Sequence, residues 1–196
     1  MIIGITGNSG SGKTEFSKIL LKKYSSKKTV EIINADEVVR EMSHKGTVYY
    51  KEIVKEFGEE VLLEDKELNK QKLADIIFNN SEKKEDLDLI TFKHIVQEIK
   101  YRINRSKAEI IIVDAPLLIE AGLNKVCDVV ISVIADKDTR IERIVKRDGI
   151  EKEKAVLRVN AQKDDEFYIN NSNYVIMNND DNDLEEKVDE IIGLLA

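Results

Sequence analysis

The chain has 196 residues, 42% of them hydrophobic and 35% charged, with a formal net charge of −7. That composition excludes a disordered chain, and no apolar run approaches the roughly 20 residues needed to cross a bilayer. A single cysteine excludes an internal disulfide framework, two histidines exclude a His-rich zinc site, and the acidic balance argues against a nucleic-acid partner.

The first expected strand is 2–6, Ile2-Ile3-Gly4-Ile5-Thr6. It begins with neither a positive segment nor a small-residue cleavage site, so no signal peptide is expected and a reducing cytoplasm is the expected compartment. A helix over 13–23 follows, with Phe16, Ile19 and Leu20 on one face. A second strand is expected at 29–34, then helices over 36–45 and 47–57, ended by Gly46 and Gly58. Asn69 is placed to cap a helix over 70–78, and Ser81 a long one to about residue 104. Strands return at 109–113 and 128–134. Helices over 138–148, closed by Gly149, and over 151–162 precede a last strand at 173–177. Asn182 with Glu185 resembles a capping box for a C-terminal helix.

Apolar strands with little polar alternation suit burial on both faces, and their alternation with helices implies a doubly wound parallel α/β sheet. The stretch 46–104 holds three expected helices and no strand, and reads as an all-helical insertion. Residues 137–165 read as a helical lid, which leaves a core of 1–45, 105–136 and 166–196. Cys127, Tyr49 and Tyr50 read as packing residues.

Gly7-Asn8-Ser9-Gly10-Ser11-Gly12-Lys13-Thr14 matches G-x-x-x-x-G-K-[ST] between a buried strand and an amphipathic helix. Successive backbone N–H groups of such a loop form an anion nest, reinforced by the helix N-terminus. Lys13 is expected to reach the β- and γ-phosphates of a nucleotide, and Thr14 to ligate Mg²⁺. Glu15 lies in the first helical turn, where an acid suits the dipole.

The motifs of GTP switches, Asp-x-x-Gly and Asn-Lys-x-Asp, are absent, as is a transporter-type Ser-Gly-Gly-Gln. Small-molecule kinases with this loop carry an acid after the second strand and arginines on a lid. Asp36 and the pair Arg143 and Arg147 hold those places. Asp36 is placed either to take a proton from an acceptor hydroxyl or to cap the following helix. Arg40, four residues on, shares its face and either binds an acceptor phosphate or pairs with Asp36. Arg143 and Arg147 project together from a segment, 137–147, with five basic and two acidic residues, and guanidinium forks neutralise a phosphoryl group in transfer. Asp114 ends the third apolar strand and resembles an acid that contacts Mg²⁺ directly or through water; a turn residue before Pro116 is its other reading.

Together with Phe57-Gly58, Asp114-Ala115-Pro116-Leu117-Leu118-Ile119-Glu120-Ala121-Gly122-Leu123, Arg147-Asp148-Gly149, Arg158 with Gln162, and Val175-Ile176 with Asn178, these segments resemble dephospho-coenzyme A kinases, from Ile3 to about Asn179. The resemblance implies a P-loop NTPase fold with a three-layer, five-stranded parallel sheet, a helical coenzyme-binding insertion and a lid. It implies ATP-dependent phosphorylation of the ribose 3′-hydroxyl of dephospho-coenzyme A, giving coenzyme A and ADP. It makes Asp36 the base, and Lys13, Arg143 and Arg147 its catalytic partners. It assigns Gly7 to Glu15 and Asn178 to ATP, the latter at the adenine, and Arg40, His94, Leu117, Leu118 and Gly122 to the acceptor. Asn34 replaces the first acid of the family's Asp-Ala-Asp, Ile95 replaces the proline of its His-Pro, and Glu15 replaces a Ser or Thr. Another small-molecule kinase, or a non-catalytic nucleotide-binding module, is the alternative reading; intact Lys13, Thr14, Asp36 and lid arginines favour the enzyme.

Overall fold

The computed structural model describes residues 1–179 and 184–195. The chain divides into two compact units, residues 1–33 with 106–196, and residues 34–105.

The first unit is built on β1 (Ile2–Thr6), β2 (Val30–Asn34), β3 (Ile110–Asp114), β4 (Val129–Ile134) and β5 (Tyr174–Met177). Each lies within a residue of its expected span, because an unbroken β-branched run has few other ways to bury itself. The spatial order is β2-β3-β1-β4-β5, and β1 runs parallel to both β3 and β4, as β4 does to β5. Helices flank the sheet: Phe16, Leu20 and Tyr24 of α1 (Lys13–Tyr24) and Val188 and Ile191 of α9 (Leu184–Leu194) join Ile3, Ile5, Ile110, Ile112, Ile131 and Val133 in one core. The chain leaves β1 toward one edge, for β2, and leaves β3 toward the other, for β4. The carboxyl ends of β1 and β3 are therefore a topological switch point, where parallel sheets place their ligands.

Between β4 and β5 come α6 (Lys137–Asp148), α7 (Lys152–Asn160) and α8 (Asp165–Asn170). Ile141 and Ile144 of α6 pack on Ala155 and Val159 of α7. The six-residue α8, capped by Asp164 accepting from Phe167 N at 2.9 Å, is too short to show a helical period and was not expected. Asn182, expected to cap the last helix, lies outside the described residues.

The second unit contains α2 (Ala35–Met42), α3 (Val48–Phe57), α4 (Lys70–Asn79) and α5 (Ser81–Arg105), with a 3-10 turn at Glu59–Val61. Tyr49, Ile53, Phe57, Val61 and Leu73 form its core. The unit begins at Asn34, so α2 packs with the helices of the expected insertion. That helix stops at Met42, not residue 45: the Thr47 hydroxyl donates to the Met42 carbonyl and accepts from Tyr50 N, ending one helix and capping the next. Asn69 caps α4 as expected, accepting from Lys72 N at 3.0 Å. Asn80, not Ser81, caps α5, by accepting from Lys83 N at 3.0 Å. The helix then runs unbroken through His94 and Ile95, whose side chain is core. No helix among the described residues is long and apolar enough to cross a membrane.

Candidate active site

In the sheet unit, β1 runs into Gly7–Gly12, and α1 starts at Lys13. Gly12 occupies the N-cap position at φ 90°, and no side chain caps the first turn. The amides that a Ser or Asp would have capped have no side-chain cap, an arrangement that suits an anion. Beneath the loop, the Lys13 ammonium is paired with the Asp114 carboxylate, a nearly buried group at the end of β3. The β1–β3 register, which sets Ile5 opposite Asp114, brings these residues together. The Thr6 hydroxyl ties the same corner by donating to the Pro116 carbonyl at 3.0 Å. Thr14 and Glu15 are exposed on the first turn of α1.

Asn178 lies just past β5 and is 6% exposed. Its amide donates to the Ser11 carbonyl at 2.8 Å, and a Cβ on Gly12 would sit 2.0 Å from its Nδ2. Its side chain thus holds the loop. Arg143 Nη1 donates to the carbonyls of Gly10 (3.2 Å) and Asn178 (3.0 Å). Arg147 Nη2 lies 3.5 Å from Ser9 Oγ. Both arginines of α6 therefore stand at the phosphate loop.

Two further contacts hold the loop from the segment after α7, and the sequence reading gave them no role. Gln162 Oε1 accepts from Ser9 N at 3.1 Å, and Asn8 Nδ2 donates to the Lys163 carbonyl at 3.2 Å. Both span more than 150 residues, so no local pattern encodes them.

The 114–123 segment is only partly available to a ligand. Leu117 is 48% exposed, but Leu118 is fully buried, with its methyls where a Cβ on Gly4 would lie. Leu118 is therefore a core residue and not an acceptor contact. Gly122, at φ 72°, opens a 3-10 turn at Leu123–Val126. Glu120 is half-buried, burial raises its pKa, and its Oε2 has no hydrogen-bond partner among the described residues. Cys127 is a packing thiol, pushed up to about 12 by burial.

In the helical unit, Asp36 is the second residue of α2 and is exposed. The N-cap is Asn34, which accepts from Glu37 N at 3.0 Å. The capping alternative for Asp36 therefore falls, and the departure at position 34 supplies the cap. Arg40 is exposed, and its carboxylate neighbour is Glu37, at 3.8 Å, not Asp36. His94 is largely buried, with Nε2 at 2.9 Å from Glu52 and its ring edge-on to Tyr49. It borders a cavity of about 490 Å³ lined also by Glu41, Tyr49, Gln97, Tyr101 and Arg102.

A strand-to-helix loop of this build, at the switch point of a parallel sheet, places the chain among the P-loop phosphotransferases. The family model for dephospho-CoA kinase matches residues 1–184. A dephospho-CoA kinase of Fusobacterium nucleatum is 35% identical over 190 residues, covering 96% of this chain and 95% of that one. The chain belongs to the dephospho-CoA kinase family. It is a transferase, an ATP-dependent kinase of the last step of coenzyme A biosynthesis. Two solved structures share the fold: a protein from Thermus thermophilus (TM-score 0.81, 24% identity, covering 100% of this chain and 98% of that one) and a dephospho-CoA kinase from Campylobacter jejuni (0.66, 23%, 99% and 96%).

Proposed function

We propose that this chain moves the γ-phosphoryl group of ATP to the ribose 3′-hydroxyl of dephospho-CoA with the following division of labour. The uncapped first turn of α1 and the loop amides other than those of Ser9 and Ser11 bind the nucleotide phosphates, and Lys13 exchanges Asp114 for the β- and γ-phosphates. Asp36 accepts the proton of the attacking hydroxyl; with Asn34 serving as the helix cap, its exposed carboxylate is left for that work. Arg147 meets the charge on the transferred group, while Arg143 and Asn178 hold the loop in shape. Leu117, Gly122, Arg40 and His94 remain candidates for the acceptor, the last from the edge of its own cavity.

Among the described residues no group of three or more His, Cys, Asp or Glu side chains can hold a metal. That suits Mg²⁺ shared with nucleotide phosphates and water, not a protein cage. Thr14 and Asp114 are the residues that would hold it, and it would supply neutralisation of the β- and γ-phosphate charge. Cytoplasmic residence belongs to the same reading and agrees with a single, unpaired cysteine.

The observation that carries this reading is the Lys13–Asp114 pair beneath a loop whose helix is uncapped. The test is ADP release from Mg-ATP with dephospho-CoA, adenosine or AMP as acceptor, with coenzyme A identified by mass. Only dephospho-CoA should stimulate release. Asp36→Asn should lower kcat by roughly 10²- to 10⁴-fold with ATP binding intact; a loss of only a few-fold would remove Asp36 from the base role.

A further inference from the structure

Arg147 does not reach the phosphate loop alone. Its Nε donates to Asp148 Oδ1 at 2.6 Å and its Nη2 to Oδ2 at 3.0 Å, a two-point grip on one edge of the guanidinium. Arg158 of α7 donates through Nη1 to the same Oδ2. One carboxylate therefore joins two cations from two helices, and the trio keeps one net positive charge beside Ser9.

Two features show that this grip is not an automatic product of the helix. Neighbouring residues on a helix point about 100° apart and do not normally meet. Asp148 is also the last residue of α6, where an acid opposes the helix dipole. Arg147 and Arg158 offset that placement, and their hydrogen bonds hold the Asp148 carboxyl down to about 2. The left-handed Gly149 (φ 63°) then turns the chain toward α7, whose packing on α6 brings Arg158 to the pair.

We propose that Asp148 is a positioning residue for phosphoryl transfer, fixing the Arg147 fork at Ser9 so that the guanidinium meets the transferred group already oriented. This rests on the reading of Arg147 as the arginine that meets that group. An exposed arginine with several rotatable bonds would otherwise sample many orientations, and misplacement of a group that acts on a transition state lowers kcat more than it raises KM.

A double-mutant cycle tests it, with kcat and KM for ATP measured for Asp148→Asn, Arg147→Ala and the pair, beside thermal unfolding of each. Asp148→Asn should lower kcat by on the order of tenfold to a hundredfold with KM little changed. It should lower kcat no further once Arg147 is alanine. Asp148→Glu should recover part of the loss; if the Asn variant does not fold, this variant is read in the same two backgrounds. Unchanged or faster turnover, or an equal loss with and without Arg147, overturns the inference while leaving Arg147 in its role. An Arg147→Ala variant with intact kcat overturns the reading of Arg147 itself, and the inference with it.

Discussion

In the sheet unit, backbone-to-side-chain bonds hold much of the phosphate loop. Asn178 is on the Ser11 carbonyl, Arg143 is on the Gly10 and Asn178 carbonyls, and Ser9 is held through its own amide by Gln162. In the helical unit, side chains grip each other. Glu41 pairs with Arg102, and Glu52 with Lys93. Backbone anchors move only if the loop moves, whereas exposed ion pairs are worth little and rearrange at low cost. The phosphate end of the site is thus built to a fixed shape, and the helical unit keeps an adaptable surface over a packed core.

If the helical unit is held by its core, Ile53→Ala should cost about 2–5 kcal/mol of stability in denaturant unfolding, since Ile53 is fully buried. A cost below 1 kcal/mol would break the comparison. On the fixed side, Gly12→Ala forces a side chain into left-handed backbone and against Asn178. It should weaken ATP binding by at least about tenfold by calorimetry, with strain of roughly 1–2 kcal/mol. Gly58 in the helical unit also has positive φ, but a Cβ there meets nothing within 4 Å.

The smallest effect concerns Glu41, whose pKa is lowered by its hydrogen bond from Arg102. A depressed carboxyl stabilises the fold above its unfolded pKa, about 4.3, and loses that contribution as pH falls through its folded value. Glu41→Gln should therefore cost less than about 1 kcal/mol at pH 7, and the difference from the parent chain should shrink below about pH 4. A larger cost, or a gap that widens in acid, would show that the surface pairs are not adaptable.

Local chemistry was legible wherever one stretch of chain contains its own reason. The Asn69 cap, the Gly149 stop and the phosphate loop all belong to this kind, since turn, cap and nest are made by neighbours. Errors fell where two adjacent residues competed for one role. Asn80 took the cap from Ser81, and Thr47 ended α2 before Gly46 could.

By itself, then, the sequence determined the five strands, the loop class and the residue types a phosphotransferase needs. Only the tertiary structure decided which of them meet. Leu118 went to the core, Asn178 went to the loop backbone, Asp114 received Lys13 from 101 residues away, and Gln162 came to Ser9 from 153. The physical reason is the order of the sheet. Strand periodicity says that a segment will be buried, but its neighbour depends on crossover connections and register that no single segment carries.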